Sequence, residues 1–247
     1  MKGQDNWLNI LDKADSTNNY AMQMVYAKMA KHGFAYFTTN QTAGKGQRGK
    51  HWIGEEGKNI AVSIVVNPQQ LKIAEQFYLS AAVSLGCYDF FSTYAGDETS
   101  IKWPNDIYWR DRKAGGILIE NVVNGTEWKW AVVGVGININ QTKFSSRLKN
   151  PVSLKQITGK DYYLIKLVKE LRKCILSRIN SLIKENKKSK IIKEYNHYLF
   201  KKDALIKLKK RNMIFETLVK GVSANGQLMT LDSFEKNYDF GEVEWVL

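Results

Sequence analysis

Three strand-like segments that follow one another with little chain between them constrain the fold more than any other feature of this sequence. They are IKWPNDIYW, GGILIENVV and WKWAVVGVGININ, and the polar stretches that join them, RDRKA and VNGTE, are short. Parallel strands need a crossover connection of about a dozen residues or more, whereas antiparallel neighbours need only a tight turn. The three segments are therefore predicted to form neighbouring antiparallel hairpins.

The remaining chain adds helices and further strands to this meander. Apolar residues at helical spacing predict helices over about 18–31, 75–95 and 161–186. The segments GFAYFTT and KNIAVSIVVN are apolar and rich in β-branched or aromatic residues, so they are predicted to be strands. Together these elements indicate an α+β fold with a mixed, largely antiparallel sheet and helices.

The chain changes character after residue 200. Four short strand-like pieces, ALIKLK, MIFETLVKGVS, QLMTLD and GEVEWVL, are separated by turn residues, among which Asn225-Gly226 is a strong hairpin signal. This pattern predicts a small β-barrel domain over residues 200–247, next to a larger domain over residues 1–199. Because no Pro- or Gly-rich linker separates them, the junction is predicted to be packed.

Charge and cysteine usage limit the class of protein. The formal net charge is +13, and residues 160–202 contain 13 Lys and Arg against 4 Asp and Glu. Either a solvated helix face or a surface for an acidic partner accounts for that excess. No apolar run approaches the ~18 residues of a membrane span, and the N-terminus lacks the apolar core of a signal peptide. With only two distant cysteines, Cys87 and Cys174, the sequence predicts a cytoplasmic protein without membrane contact.

The segment AGKGQRGKHW at 43–52 nearly spells a phosphate-binding P-loop. Gly44, Gly49 and Lys50 stand where that pattern requires them, but His51 replaces the hydroxyl residue that binds magnesium. The chain continues as loop and strand, not as the helix that a P-loop needs. The segment is therefore not a P-loop. Its glycines still allow backbone N–H groups to cradle an anion, and a plain surface hairpin is the alternative.

A second polar cluster lies on the predicted meander. KWPND at 102–106 is followed by Lys113, Gly115 and Gly116 in KAGGILIE. Asn138 lies in the predicted strand GVGININ, where an amide side chain among apolar residues is expected to hydrogen-bond to a buried partner or a ligand. In isolation, PND is also typical of a β-turn, and Lys113 of an ordinary surface lysine.

Five motifs taken in order resemble the catalytic part of the biotin protein ligases, also called biotin–[acetyl-CoA-carboxylase] ligases. They are STN at 16–18, QTAGKGQRGKHW at 41–52, KWPND at 102–106, KAGGILIE at 113–120 and GVGININ at 134–140. The resemblance implies a class II synthetase-like catalytic domain followed by a small SH3-like β-barrel. It implies that biotin and Mg-ATP form biotinyl-5'-AMP, and that biotin then passes to a lysine of a biotin carboxyl carrier protein.

The resemblance assigns roles residue by residue. It implies biotin contacts for Ser16, Thr17, Asn18, Gln41, Gly44, Lys45, Gly46, Gln47, Lys113, Gly115 and Gly116. It implies ATP or adenylate contacts for Arg48, Lys50, Trp52, Lys102, Asn105, Asp106 and Asn138. Lys113 is implied as the central catalytic residue with Arg48 beside it, Asp106 as a Mg²⁺ ligand, and Trp52 as a latch when the glycine-rich loop orders. The competing interpretations are a helix cap for STN and core burial for Trp52.

The glycine-rich segment departs from the family pattern. Lys45, Gln47 and Lys50 stand where arginines are common in the family. Lysine keeps the charge but loses the planar guanidinium fork, and Gln47 loses the charge as well. The resemblance therefore predicts weaker retention of the adenylate.

Two other functions remain as alternatives from the sequence. Lipoate–protein ligases resemble this family in fold, but their R-R-x-S-G-G-G loop followed by His is missing here. A nucleic-acid-binding regulator fits the net charge, but the ~15 residues before STN are too few for a helix-turn-helix domain. A form without a DNA-binding domain and without specific DNA binding is therefore predicted. A homodimer is common in the family and stays open.

Overall fold

The computed structural model describes residues 6–246 of the chain. Within this range seven strands form one sheet: β1 (Leu8–Ile10), β2 (Ala35–Thr38), β3 (Ile60–Val66), β4 (Thr99–Lys102), β5 (Asp106–Trp109), β6 (Arg112–Asn124) and β7 (Glu127–Ile137). Their order in space is β1-β2-β3-β7-β6-β5-β4. Only β1 and β2 pair in parallel, so the predicted mixed, largely antiparallel sheet is confirmed.

The helices of the described range pack around this sheet. They are α1 (Thr17–Tyr26), α2 (Gln76–Ala95), α3 (Leu154–Thr158), α4 (Leu164–Lys184) and α5 (Lys188–His197). Helix α4 carries a buried stripe that includes Leu164, Val168, Leu171 and Ile175, which is the spacing of one helix face. It packs on α2, where Gly86 permits close contact, since a Cβ there would lie 2.5 Å from Ile175 Cα.

The C-terminal part forms a second, antiparallel sheet. Its strands are β8 (Leu205–Lys210), β9 (Met213–Val222), β10 (Leu228–Leu231), β11 (Glu235–Tyr238) and β12 (Glu244–Val246). Among residues 205–246 they pair in the order β11-β10-β9-β8-β12, and no pairing joins β11 to β12. The small β unit predicted after residue 200 is present, but the closure expected for a barrel is not observed in this part of the chain.

Some predicted elements need correction. IKWPNDIYW is two strands, β4 and β5, because residues 103–105 form a tight turn whose Pro104 has no N–H for a sheet. This confirms the turn interpretation of PND. Helix α1 ends at Tyr26, well before residue 31, and Lys28 adopts a left-handed backbone conformation, with φ of 57°. Helices α3 and α5 and strands β1 and β11 were not predicted.

The second sheet contacts the turn between β4 and β5. Trp103 Nε1 donates to Gly226 O at 2.8 Å, and the Trp103 ring stands edge-on to Phe240 at 6.0 Å. On the other side, Tyr195 of α5 donates to Pro104 O at 3.1 Å. The turn is therefore held between α5 and the second sheet. Among residues 6–246, no helix is long and apolar enough to cross a membrane.

Candidate functional site

The residues of the STN motif lie at the start of α1 and are almost completely buried. Ser16 occupies the N-cap position, yet its side chain makes no capping hydrogen bond. Thr17 and Gln41 are joined, because Gln41 Oε1 accepts from Thr17 N at 2.8 Å and from Thr17 Oγ1 at 3.2 Å. Gln41 therefore lies beside the STN motif, as predicted. The Ser16 hydroxyl does not cap the helix.

Two residues that the sequence did not single out complete this polar network. Ser63, in the middle of β3, donates its hydroxyl to Asn18 Oδ1 at 2.5 Å and lies 2.8 Å from Thr17 Oγ1. Glu120, on β6, accepts from Asn18 Nδ2 at 2.7 Å. A Cβ at Gly134 would clash with the Asn18 amide, so this glycine makes room for it. The available signal for Ser63 was a single hydroxyl in the otherwise apolar run IAVSIVV.

Residues 44–52, which we call the lid, fold back on themselves as a short tongue. Trp52 N donates to Gly44 O at 2.9 Å, and Gly46 N donates to Lys50 O at 2.7 Å. Gly44 is required at its position, because a Cβ there would lie 2.5 Å from both Gln41 Nε2 and Trp52 O. The predicted glycine-rich loop therefore forms a hairpin-like segment beside Gln41.

The lid lies over strands β6 and β7. Gln47 Nε2 donates to Ile117 O at 3.4 Å, and Lys45 Nζ lies 3.4 Å from Glu120 Oε1. The Trp52 indole covers Gly136 so closely that a Cβ there would clash with the ring. A partly open cavity of about 20 Å³ lies beside Trp52, room for a single water molecule. The lid is thus closed on the sheet, with half-buried Trp52 as its main apolar contact.

Arg48 and Lys50, the cationic residues at the tip of the lid, differ in their contacts from the rest of the lid. Arg48, with a left-handed φ of 54°, donates to Gly241 O at 3.0 Å and lies 5.8 Å from the Phe240 ring centre. Lys50 is exposed, and its ammonium has no hydrogen-bond partner in the described range. The side-chain contacts of Arg48 are thus with the second sheet and not with Lys113 or Asp106.

Strands β5 and β6, which we call the floor, bring the second predicted cluster together. Lys113 Nζ lies 2.7 Å from Asp106 Oδ1, and Asn105 Nδ2 donates to Ile117 O at 2.6 Å. Opposite Asp106 in the strand register is Gly116, where a Cβ would lie 3.5 Å from Lys113 Nζ. The absence of a side chain at Gly116 therefore leaves open space along the ammonium group, whereas Gly115 permits close contact with β7, since a Cβ there would lie 2.8 Å from Gly136 O.

A bulge in the floor sets the direction of Lys113. Ile107 pairs with Gly115 while the next residue, Tyr108, pairs with Lys113, so Ala114 is an extra residue on β6. Such a bulge twists a strand and changes the direction of a side chain. The backbone around Lys113 is held as well, since its N–H donates to Asn150 O at 2.7 Å. Lys113 is thus fixed by main-chain geometry and not only by its partner Asp106.

Asn138 lies behind the floor. It is buried, and its amide Nδ2 donates to Val152 O at 3.0 Å and to Lys113 O at 3.4 Å. Its own N–H donates to Ala114 O at 2.9 Å. The sequence pattern had predicted that this amide answers a buried partner or a ligand. The structure supplies protein partners, so Asn138 positions the bulge that carries Lys113.

Lys102 ends β4 next to this pair and is partly buried. Burial lowers the pKa of Lys102 to about 8, against the raising effect of Asp106. Three further ammonium groups, those of Lys113, Lys50 and Lys149, lower this pKa further. Lys102 is thus influenced by three other ammonium groups and by the Asp106 carboxylate, an arrangement that favours binding of a polyanion.

The site offers limited means to hold a metal ion. Within residues 6–246 no group of three or more His, Cys, Asp or Glu side chains is arranged for metal binding. Asp106 contributes one carboxylate, and the only side-chain hydrogen bond it accepts in that range uses Oδ1. One carboxylate fits a Mg²⁺ ion that is held mainly by phosphate oxygens and water.

Comparison with known proteins gives these features a family. The model of the "Biotin/lipoate A/B protein ligase family" matches residues 11–138, a little more than half of the chain. The matched range contains the STN motif, the lid, the floor and Asn138.

Curated relatives are similar over part of their length. The bifunctional ligase/repressor BirA of Bacillus subtilis is 31% identical over 153 residues, which cover 60% of this chain and 46% of that protein. The biotin–[acetyl-CoA-carboxylase] ligase of Paracoccus denitrificans is 33% identical over 133 residues, 53% of either protein. The chain thus spans about half the length of the curated relatives it matches.

Solved structures are similar over nearly the whole chain. The biotin protein ligase from Aquifex aeolicus in complex with biotin and ATP has a TM-score of 0.82 at 23% identity, covering 98% of this chain and 99% of that one. The biotin protein ligase from Leishmania major in complex with biotinyl-5-AMP has a TM-score of 0.67 at 21% identity, covering 96% and 100%. These likenesses confirm the predicted fold class.

Proposed function

The chain belongs to the biotin/lipoate A/B protein ligase family, and from this premise we propose that it is an ATP-dependent biotin protein ligase. In the first step a carboxylate oxygen of biotin attacks the α-phosphorus of ATP. The bond from that phosphorus to the bridging oxygen breaks, and pyrophosphate leaves. In the second step the amine of a carrier lysine attacks the acyl carbon of biotinyl-5'-AMP. An amide forms, the amine loses a proton, and AMP leaves.

One observation carries this proposal: the cationic lid contacts β6, the same strand that carries Lys113. Gln47 donates to Ile117 O of β6 at 3.4 Å, four residues along that strand from Lys113, whose Nζ lies 2.7 Å from Asp106. A reaction between a carboxylate and a triphosphate needs positive charge placed where negative charge builds up. It also needs exclusion of water, because the mixed anhydride product hydrolyses. In the proposal the floor meets the first need and the lid the second.

The ureido head of biotin is assigned to the polar network at the start of α1. Among the described residues, neither the Ser16 hydroxyl nor Gln41 Nε2 has a hydrogen-bond partner, although Ser16 is 2% exposed. Thr17 and Asn18 are already engaged by Gln41, Ser63 and Glu120. We therefore assign direct contacts with the head to Ser16 and Gln41. Thr17 and Asn18 hold those two groups in place.

ATP is assigned to the region around the floor. Lys113 stabilises the charge on the α-phosphorus, while Lys102, Lys50 and Asn105 contact phosphates or ribose. Asp106 would hold Mg²⁺, which when bound neutralises part of the phosphate charge. Arg48 joins these groups by exchanging Gly241 O for a phosphate oxygen. Asn138 acts behind the strand, through the main chain of Lys113.

The remaining substrates follow from the names of relatives. The Paracoccus denitrificans protein is named for acetyl-CoA carboxylase, so a biotin carboxyl carrier domain is the proposed acceptor. In this proposal residues 1–199 carry the chemistry and residues 200–247 form a small β unit beside it.

The proposal is tested by mixing the protein with biotin, Mg-ATP and a purified apo carrier domain. We expect biotin-dependent release of pyrophosphate without the carrier. With the carrier present, we expect a mass increase of one biotinyl group on a single lysine. Lipoate is supplied in parallel as the competing acid and should give no adduct. Absence of pyrophosphate with biotin, or preferential attachment of lipoate, contradicts the proposal.

A further inference from the structure

Lys102 is surrounded by aromatic rings from both sheets. Its ammonium lies 5.2 Å from the centre of the Tyr108 ring on β5 and 5.3 Å from the centre of the Trp245 ring on β12. Phe200 links the two rings, at 5.1 Å from Tyr108 and 5.8 Å from Trp245. The faces of aromatic rings attract cations. The last strand of the second sheet therefore helps to fix where this ammonium lies.

Two hydrogen-bond donors at this place have no partner. Within residues 6–246, Lys102 Nζ has no hydrogen-bond acceptor and no ion-pair partner, although its side chain is partly buried. The Trp245 indole N–H is buried and is also without an acceptor in the same range. Buried polar groups in proteins are rarely left unpaired. Because the Trp245 N–H is completely buried, only the partly exposed Lys102 ammonium is open to an acceptor that belongs to a ligand.

The position of Lys102 identifies the chemistry of that acceptor. Lys102 is opposite Asp106 in the pairing of β4 with β5, and Asp106 is committed to Lys113 at 2.7 Å. The single carboxylate cannot neutralise both ammonium groups. An oxyanion with several oxygens, such as a triphosphate, supplies acceptors to Lys102 and Lys113 together.

We propose that Trp245 is a positioning residue for ATP: its ring holds the Lys102 ammonium beside the Asp106–Lys113 pair, so that the second sheet forms one wall of the triphosphate site. The proposal deepens the proposed function and rests on it. It acts through Lys102, and Trp245 itself takes no part in bond making. The alternative is that Trp245 only packs the second sheet against Phe200.

A double-mutant cycle separates these two roles. Trp245→Leu removes the ring, Lys102→Met removes the charge, and the double variant combines them. Because a cation–π contact is weak to moderate, we expect Trp245→Leu to raise KM for ATP about fivefold with a smaller change in kcat. KM for biotin should stay within about twofold of the parent value. In the Lys102→Met background, the same Trp245 change should add less than about twofold, because coupled residues are not additive.

Two further variants provide the controls. Trp245→Phe keeps an aromatic face and should restore KM for ATP to within about twofold. Phe234→Leu removes an exposed ring from the turn between β10 and β11, where its cation–π partner is Lys236, and should leave KM for ATP unchanged. Additive effects in the cycle, no rescue by Trp245→Phe, or an equal rise in KM for biotin overturn the proposal.

A measurement on the unaltered protein keeps the test decisive if Trp245→Leu does not fold. Lysine acetylation by acetic anhydride is followed by mass spectrometry, with and without Mg-ATP. We expect Mg-ATP to protect Lys102, and biotin alone to leave its labelling unchanged. Equal labelling of Lys102 in both conditions overturns the proposal. If the unaltered protein binds Mg-ATP and protects Lys102 but releases no pyrophosphate with biotin, the proposed function fails while the ATP assignment stands.

Discussion

The lid and the floor are both cationic and adjoin at β6, but the chain holds them in opposite ways. Lys113 on the floor is fixed by strand register, by a bulge and by main-chain hydrogen bonds to Asn150 and Val152. The lid is held by a few side-chain contacts, among which Trp52 on Gly136 is a large apolar one. A fixed charge suits the chemical step, while a segment with few contacts suits opening and closing. Floor variants should therefore change the rate of adenylate formation, and lid variants should change how long the adenylate is retained.

The largest effect is expected for Lys113→Ala. Loss of one preorganised donor from a site of developing charge costs about 10²–10³ in rate, so biotin-dependent pyrophosphate release should fall by about that factor. Thermal unfolding should change little, because the Lys113 side chain contributes a single partly exposed ion pair.

The matched control for Lys113→Ala is Lys129→Ala. Lys129 lies on the neighbouring strand β7 and pairs with Glu127, and its loss should leave the rate within about twofold. If Lys113→Ala forms adenylate at the parent rate but releases it faster, the division between floor and lid is wrong.

The next largest effect is expected for Trp52→Ala. Burial of a large apolar side chain is worth about 1.5–3 kcal/mol, so its loss should speed release of biotinyl-5'-AMP by about tenfold or more. Adenylate formation should change much less. Release is measured by chasing preformed labelled intermediate with unlabelled biotin and ATP.

Gly136, which the Trp52 indole covers, provides a second way to test whether Trp52 holds the lid closed. Gly136→Ala places a methyl group where the indole lies, and it should reproduce the faster release without altering the lid sequence. Ile53→Ala changes an exposed neighbour of Trp52 and should not. If both Trp52→Ala and Gly136→Ala release biotinyl-5'-AMP at the parent rate, Trp52 does not hold the lid closed.

The same difference between the two regions explains what the sequence predicted. The floor follows from closely spaced residues, since KWPND and KAGGILIE fall on adjacent strands and their turn residues are local. Contacts that join distant parts of the chain were missed: Asn18 to Glu120 spans 102 positions and Arg48 to Gly241 spans 193. The aromatic wall from Trp245 was missed for the same reason. No local pattern encodes which loop of the second sheet meets the lid.

A smaller effect is expected for Gln47→Arg. Gln47 now makes one long hydrogen bond, to Ile117 O at 3.4 Å, and carries no charge. An arginine adds a cation with a planar fork of donors, and charge-assisted hydrogen bonds are stronger than neutral ones. Release of biotinyl-5'-AMP should slow by about fivefold, with unchanged adenylate formation. Gln47→Leu is the matched control, because it lacks the charge. Equal release rates for the parent and the arginine variant would show that the missing charge is irrelevant.

The smallest effect is expected from a third cationic region, the basic face of α4 and α5. Much of its charge is already paired, for example Lys188 with Glu75 at 2.6 Å and Lys190 with Glu194 at 3.6 Å, so only part of it is available to attract an acidic carrier. Long-range attraction of this kind speeds association and is screened by salt. Raising NaCl from about 50 mM to about 300 mM should slow biotin transfer about threefold and barely change pyrophosphate release.

Two charge reversals test the same surface. Lys193→Glu, at an exposed position on α5, should slow biotin transfer, whereas Lys143→Glu, outside α4 and α5, should not. If neither salt nor Lys193→Glu changes the rate of biotin transfer, the excess of lysine belongs to a solvated helix face. The lid and the floor would then be the cationic regions with a function.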